Sequence, residues 1–234
     1  MSTSVNVARY HVVDRGGVAA TSWGVLTFTF AVNLVIFSLI PVGNGGGYAH
    51  GRYSGALASL YIMFCVIGAI AIFRSLPFGL TLGASRRSYY TGTAFLAVTL
   101  SAVYGLALTA MQAIERATGG WGVAMHFFVV PYILAGPWYL TWLTSFVGLT
   151  MLFVYGMWYG IVYRRWNLAG VLTFCAAQVT VLLAGALVIT WTHAWPAVGR
   201  FFTGLSAAGL TGLLAALTAA LLAGGYSTVR RATV

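Results

Sequence analysis

The sequence predicts an all-α membrane protein with six transmembrane helices and with both termini in the cytoplasm. Of its 234 residues, 60% are hydrophobic and only 6% are charged, and the mean hydropathy is +0.91. A soluble domain carries roughly a quarter charged residues, so an unusually large core does not account for the shortfall. We therefore expect a multi-pass membrane protein in contact with the lipid bilayer.

Six apolar runs are long enough to cross a bilayer, which takes about 20 mostly apolar residues. Each run is bounded by Gly, Pro, Arg or a polar cluster, where a helix is expected to leave the membrane. Together they form one bundle over residues 21–225, between an N-terminal interfacial segment (1–20) and a cytoplasmic tail (226–234). The expected spans are Thr21–Val42, Gly55–Phe73, Thr91–Met111, Pro137–Tyr159, Gly170–Trp191 and Phe201–Gly224.

The arginines predict the orientation. A net charge of +10 would suggest nucleic acid in a soluble protein, but all twelve basic residues are Arg and most fall in short loops. With six helices and a cytoplasmic N-terminus, nine of the twelve face the cytoplasm, in line with the positive-inside rule. A seventh helix within Trp121–Trp138 would leave only five inside. We therefore place Gln112–Gly136 outside, as a loop whose apolar part lies in the interface or dips into the bilayer and returns.

The spans lack the groups that most membrane chemistry needs. No Asp, Glu, Lys or Arg stands in the middle of a span, which argues against a proton- or sodium-coupled transporter. Without a GxxxxGK[ST] phosphate loop, the chain is not expected to hydrolyse ATP itself. We assign no catalytic residue, metal or cofactor. His50, His126 and His193 are expected near the outer face as hydrogen-bonded interfacial residues, with zinc or haem ligation as the open alternative.

Polar and small residues in the spans give two further sets of candidates. Asn33 and Gln178 are the strongest polar groups within the spans, and either contacts cargo or hydrogen-bonds across helices. Small residues recur every four positions in the sixth span, which lets two backbones approach closely. This seam packs either within the bundle or at a subunit boundary. Its residues are Gly204, Ala208, Gly212 and Ala216, and the same spacing continues to Ala220 and Gly224.

The stretch LPFGLTLGASRRSYYTG, residues 76–92, joins the second and third spans on the cytoplasmic side. Pro77, Gly79 and Gly83 are expected to interrupt the helix, and Ser85 is expected to cap a short new turn. That turn holds two arginines followed by two tyrosines. On composition alone such a turn anchors the loop to anionic lipid headgroups.

At these residues the chain resembles the permease subunits of type 2 ABC exporters, in the first cytoplasmic loop between the second and third of six helices. The resemblance implies that this loop contains a coupling helix, which docks in a groove of the ATP-binding subunit. Arg86 and Arg87 would anchor the docking while the tyrosines fill the groove. The matching positions of the coupling loop are Pro77, Phe78, Gly83, Ser85, Arg86, Arg87, Tyr89 and Tyr90, with Leu80, Leu82 and Gly92 completing the pattern.

The resemblance also implies a function and partners. The chain would be the membrane subunit of an ATP-driven exporter in the bacterial inner (cytoplasmic) membrane, and it would move a drug, antibiotic or lipid by alternating access. It would act with a second permease subunit, of the same or a different chain, and with two ATPase subunits that carry ATP and Mg²⁺. The amphipathic segment Val5–Gly17 would be the connecting helix of such permeases. In one respect the chain departs from the family, since the fifth connection, THAWPAVGR, is short where members commonly place re-entrant helices.

Two other classes of function remain open from the residues themselves. A membrane anchor or assembly subunit without transport would tolerate substitution of Arg86 and Arg87. A haem- or quinone-binding redox subunit would use the histidines.

Overall fold

The structure, a computed structural model, describes residues 15–39, 52–81, 83, 85–130, 134 and 136–231. This part of the chain is mostly helical, and five of its helices are long and apolar enough to cross a membrane. Apolar runs of this length form helices in lipid because a helix pairs its own backbone N–H and C=O groups. The helical fold is as predicted, and the long apolar helices are consistent with a multi-pass membrane protein.

Seven helices follow one another along the described residues. Before the second helix, a 3-10 turn covers Gly55–Leu57. Strand β1 (Arg52–Tyr53) pairs in parallel with β2 (Met125–His126). The helices are α1 (Arg15–Leu39), α2 (Ala58–Phe73), α3 (Ser75–Thr81), α4 (Arg86–Ala117), α5 (Trp138–Trp191), α6 (Trp195–Gly204) and α7 (Ala207–Arg231).

Helix α5 is a helical hairpin. As one straight helix of 54 residues it would be about 80 Å long, more than twice the hydrocarbon thickness. Asn167 breaks it with φ 52° and ψ −153°, a backbone conformation outside the left-handed helical region and costly for any residue other than glycine. The helical segments before and after Asn167 lie side by side, since the rings of Tyr159 and Phe174 are 5.2 Å apart. We call residues 138–166 the first arm and residues 168–191 the second arm.

The first arm is the centre of the molecule. Helices α2, α4 and α7 all pack against α5, and the first arm buries Leu149, Phe153 and Met157 completely. By contrast, the second arm has no buried residue, and neither does α6. The core of the described chain therefore surrounds the first arm, while the second arm and α6 lie at its periphery.

The predicted spans differ from the helices mainly at their ends. The second span, Gly55–Phe73, matches the 3-10 turn and α2. The sixth predicted span is broken, because Leu205 has an extended backbone and Ser206 Oγ accepts the N–H of Gly209 at 3.1 Å, which starts α7. The connection between the fifth and sixth predicted spans, predicted to be short, thus contains the ten-residue helix α6. Helix α7 continues to Arg231, beyond the predicted start of the tail at residue 226.

The expected N-terminal segment falls largely outside the described residues, which begin at Arg15. From Arg15 onward the chain belongs to α1. The predicted boundary after residue 20 therefore lies within a helix.

The expected loop Gln112–Gly136 is more ordered than predicted. Its first six residues continue α4 as far as Ala117. Farther on, Met125, Phe127 and Phe128 are buried, and the side chain of Phe127 lies edge-on to Phe30 of α1 with ring centroids 5.3 Å apart. The apolar part of this segment packs on the bundle, and we call the described residues of 118–136 the cap.

Candidate functional site

The arginine pair begins α4. Ser85 has an extended backbone, and its Oγ accepts the N–H of Ser88 at 3.1 Å, so the predicted helix cap at Ser85 is confirmed. Arg86 is half-buried and Arg87 is exposed. The short turn predicted at Arg86–Tyr90 is not separate from the third span, because α4 runs without a break from Arg86 to Ala117.

A separate short helix does lie in this loop, but it precedes the turn that was predicted at Arg86–Tyr90. Helix α3 (Ser75–Thr81) contains Pro77 and Phe78, and Pro77 is tolerated there because the first turn of a helix leaves its N–H groups without helical partners. Gly83 has φ +81°, a conformation that glycine adopts without steric cost. The loop is thus a short helix, a glycine turn and the start of α4.

Both tyrosines of the loop point into the bundle. Tyr89 is 1% exposed and its Oη donates to the carbonyl of Ala71 in α2 at 2.7 Å. Tyr90 is 3% exposed and its Oη donates to the carbonyl of Leu222 in α7 at 3.0 Å. The expectation that these tyrosines fill a partner's groove does not fit this arrangement, since their rings are already packed inside the chain. Of the two arginines and the two tyrosines, the arginines are thus the residues that reach the surface.

Arg86 and Arg87 lie at the N-terminus of α4, which is the positive end of the helix dipole. A helix N-terminus carries about half a positive charge, so a cation there is unfavourable by roughly 0.3–1 kcal/mol. The same charges add to the helix dipole in attracting an anion. The start of α4 is therefore suited to bind a carboxylate or phosphate that comes from outside the chain.

The small residues predicted to form a seam lie on the surface of the described chain. Gly204 ends α6 instead of belonging to α7, and an added Cβ at Gly204 or Gly212 would meet no atom within 4 Å. Helix α7 faces the bundle with other residues, among which Thr211 and Thr218 are buried. The first four residues of the seam thus do not pack within the described bundle, whereas Gly224 does, since an added Cβ there would lie 3.1 Å from the ring of Trp158. The exposed residues are Gly204, Ala208, Gly212 and Ala216.

The closest backbone approach lies between α2 and the first arm. An added Cβ at Gly156 would overlap the backbone carbonyl of Cys65, and one at Gly68 would overlap that of Phe153. Gly160 likewise lies against the carbonyl of Ala69, 2.7 Å from where its Cβ would be. The pattern Gly-xxx-Gly at 156 and 160 is the signal that predicts such packing, and the sequence reading passed over it in favour of the sixth span.

The sequence reading also missed Glu115, which organises the cap. This carboxylate is fully buried. Its Oε2 accepts the backbone N–H groups of Phe127 and Phe128 at 3.0 and 2.9 Å, and Oε1 accepts that of Val129 at 3.1 Å. The indole N–H of Trp121 adds a fourth bond at 3.0 Å. Since hydrogen bonds to a charged group are about twice as strong as neutral ones, Glu115 holds the returning chain onto the end of α4.

Glycines and neighbouring polar groups complete the cap. Gly119, Gly120 and Gly122 all have positive φ, which lets the chain reverse within a few residues and return to Glu115. Gln112 and Arg116 both donate to the carbonyl of Leu134, at 3.0 and 3.1 Å. A lone glutamate just before a glycine-rich turn, in a chain with so few charges, was the available signal for this structure.

The histidines take different positions. His126 lies in the cap with Nδ1 3.6 Å from Glu115 Oε1, and its ring stacks on Tyr53 with centroids 5.1 Å apart. His193 is exposed at the turn after α5, and His50 lies outside the described residues. Within the described ranges, no group of three or more His, Cys, Asp or Glu side chains is placed to hold a metal ion.

Asn33 and Gln178, the polar residues that were candidates for cargo contact, lie in different parts of the molecule. Asn33 donates to the carbonyl of Thr29 at 2.8 Å and accepts the hydroxyl of Ser54 at 2.7 Å, so its amide joins α1 to the segment that precedes α2. Gln178 of the second arm instead accepts two hydroxyls, from Tyr155 at 2.8 Å and Tyr159 at 2.9 Å. Both amides thus hydrogen-bond across helices, which is one of the two roles expected of them: Asn33 joins α1 to the segment before α2, and Gln178 joins the second arm to the first arm.

A cavity of about 460 Å³ lies between the cap, the start of α2, the first arm and α7. Its wall is mainly apolar and includes Leu57, Val130 and Leu214. Ser54, Tyr61 and Thr144 are polar residues of its lining, and the lining contains no charged side chain. A cavity of this size and character fits a small, uncharged and largely apolar molecule.

The comparisons with known proteins give no relative: no family model, no curated protein and no solved structure matches this chain.

Proposed function

We propose that the chain is the membrane subunit of an ATP-driven exporter for a hydrophobic or amphipathic compound. In this proposal two copies, or this chain and a second permease, associate with two ATPase subunits that bind ATP and Mg²⁺. The ATPase docks at Arg86 and Arg87. The observation that carries the proposal is the linkage of these two arginines, through the adjacent tyrosines, to two other helices.

This linkage suits the transmission of a movement. A partner that pulls on Arg86 and Arg87 moves the start of α4. Tyr89 and Tyr90 follow this pair after a single residue, Ser88. Because their hydroxyls bind the backbone of α2 and α7, a displacement at the surface acts on three helices at once. A loop that served only as a lipid anchor would not need this double attachment.

The six-span topology belongs to the same proposal. If each arm of α5 crosses the bilayer separately, the five long helices provide six crossings. Both termini and nine of the twelve arginines then lie on one side, which the positive-inside rule assigns to the cytoplasm. Under this topology the cap faces outside, and the arginine pair faces the cytoplasmic ATPase.

The cavity and the exposed seam support a transport role. The cavity next to the cap matches an uncharged cargo in size and polarity. The seam of small residues in α6 and α7 is exposed in the single chain, and small residues at this spacing allow a close helix–helix contact. A second permease subunit at this face would place a pathway between two bundles.

Co-purification from the native membrane tests the proposal. We expect the tagged wild-type protein to bring down an ATPase with a phosphate loop, identified by mass spectrometry, and Arg86→Glu/Arg87→Glu to lose it at matched expression. The matched control is Arg164→Glu/Arg165→Glu, which reverses another exposed pair that the topology places on the same side. Retention of the ATPase by the control is expected.

Two results would contradict the proposal. If the wild type brings down no ATPase under conditions that preserve complexes, the exporter assignment is wrong and a non-transporting anchor takes its place. If both charge-reversed pairs lose the partner equally, the effect is general electrostatics at the lipid surface and not docking at α4.

A further inference from the structure

The hairpin of α5 contains a polar cluster that joins its two arms. Tyr155 and Tyr159 come from the first arm and Gln178 from the second arm. Both phenol oxygens lie within hydrogen-bond distance of the Gln178 amide oxygen, at 2.8 and 2.9 Å, and 3.1 Å from each other. Because each phenol donates one proton, the Gln178 amide oxygen accepts two hydrogen bonds, one for each of its lone pairs.

The amide nitrogen of Gln178 has no hydrogen-bond acceptor among the described residues. Among the described residues, the bonds that Gln178 makes are the two to its oxygen, so its two N–H donors find no acceptor in the chain. Other polar side chains of the second arm do not share this problem: the hydroxyls of Thr173 and Thr180 bond to carbonyls of their own helix at 2.8 and 2.9 Å. In hydrocarbon an unpaired donor is costly, so Gln178 is placed to recognise an acceptor.

Two open grooves flank the second arm at this point. One, of about 490 Å³, lies against Val162, Trp166 and Thr173. The other, of about 410 Å³, includes Tyr155, Gln178 and Leu182. Phe174 and Ala177 border both grooves. Neither lining contains a charged side chain, so the surface around the Gln178 amide is apolar and each groove has the volume of a small-molecule site.

We propose that the groove at Tyr155, Gln178 and Leu182 binds an uncharged, largely apolar molecule through a carbonyl oxygen that accepts from the Gln178 amide nitrogen. The apolar body of the ligand lies along Phe174 and Ala177, and the site opens toward the lipid. The site does not depend on the exporter proposal, because binding is measured on this chain alone.

The shape of the surface favours a small molecule over a second copy of the chain. Phe174 and Ala177 divide the surface into two concavities, whereas a partner helix needs a continuous face of small residues for close contact. Such a face is present elsewhere, on α7, at Ala208, Gly212 and Ala216. The grooves of the second arm are thus left for a ligand that enters from the bilayer.

The test uses the full-length protein in nanodiscs and the dye Prodan, an uncharged naphthalene whose ketone shifts the emission to the red when it accepts a hydrogen bond. We expect a saturable, red-shifted component with wild type that empty nanodiscs lack. Gln178→Leu removes the donor and should weaken this binding about tenfold. Thr180→Val, on the same helix, is the matched control and should bind as the wild type does.

Two further measurements keep the result interpretable. The analogue with a propyl group in place of the ketone should bind about tenfold more weakly to wild type and should not distinguish wild type from Gln178→Leu. Ala177→Leu narrows both grooves without touching the amide and should weaken both dyes. Equal binding of ketone and propyl dyes to wild type, or equal binding of Prodan to wild type and Gln178→Leu, would overturn the proposal. So would disulfide cross-linking of Ala177→Cys between two copies in place of dye binding.

Discussion

Glu115 shows how a single charge organises a region of an almost uncharged chain. Its two oxygens accept three backbone N–H groups of the returning chain and the indole N–H of Trp121. The carboxylate is fully buried, and a buried charge persists only where hydrogen bonds replace its hydration. The cap therefore depends on this residue, although neither the length nor the hydropathy of the segment indicates it.

Neutralising Glu115 should loosen the cap. Glu115→Gln keeps the shape but replaces one acceptor oxygen with an N–H₂ group, which then faces backbone donors. We expect the cap to lose about 3 kcal/mol, because bonds to a charge are worth about 1.5–3 kcal/mol each and a buried unpaired donor costs about 1–3 kcal/mol. Hydrogen–deuterium exchange at Phe127, Phe128 and Val129 should then be roughly a hundredfold faster.

The control for this prediction is Ile114→Ala, an exposed neighbour on the same helix, which should leave exchange in the cap unchanged. If Glu115→Gln leaves the exchange of those three amides as in the wild type, Glu115 does not hold the cap.

At the scale of the elements, glycine sets the distance between α2 and the first arm. At Gly156 the added methyl group of alanine would overlap the backbone of Cys65. Backbone atoms on a packed helix cannot move aside as the end of a flexible side chain can, so the two helices would have to separate. This contact lies next to Phe64, Phe153 and Met157, all fully buried.

Gly156→Ala should therefore destabilise the protein by about 3 kcal/mol, the upper part of the usual range for overpacking. The free energy of unfolding can be followed by titration with sodium dodecyl sulfate in mixed micelles. Gly185→Ala is the matched control, since an added Cβ there meets no atom within 4 Å. It should be neutral or stabilising by up to about 1 kcal/mol. Equal stability of the two variants would show that the helices are not in backbone contact.

The sequence predicted these elements better than their contacts. Hydropathy located the second span to the residue, and the Ser85 cap followed from local chemistry, because both depend on neighbouring residues alone. The burial of Tyr89 and Tyr90 could not be predicted, since their hydroxyls reach carbonyls in α2 and α7 that are distant in sequence. For the same reason small-residue spacing could not decide which glycines form the close contact.

At the scale of the whole molecule, the docking of an ATPase at the arginine pair depends on the six-span topology. In a background of Cys65→Ala and Cys175→Ala, we expect Ala117→Cys and Thr192→Cys to react with a membrane-impermeant maleimide in intact cells. Arg164→Cys should react only after permeabilisation, because the proposed topology places the turn between the arms of α5 in the cytoplasm. All three positions are exposed in the structure. Labelling of Arg164→Cys in intact cells would contradict six spans with a cytoplasmic N-terminus.

Docking of an ATPase at the arginine pair is tested most directly by photo-cross-linking from position 87 in the native membrane. Arg87 is exposed at the start of α4, so a benzophenone amino acid there contacts whatever covers the surface. We expect an adduct that contains a peptide of an ATPase with a phosphate loop, and no such adduct from position 164. Adducts with lipid alone, or with no ATPase, would contradict the docking of an ATPase at the arginine pair.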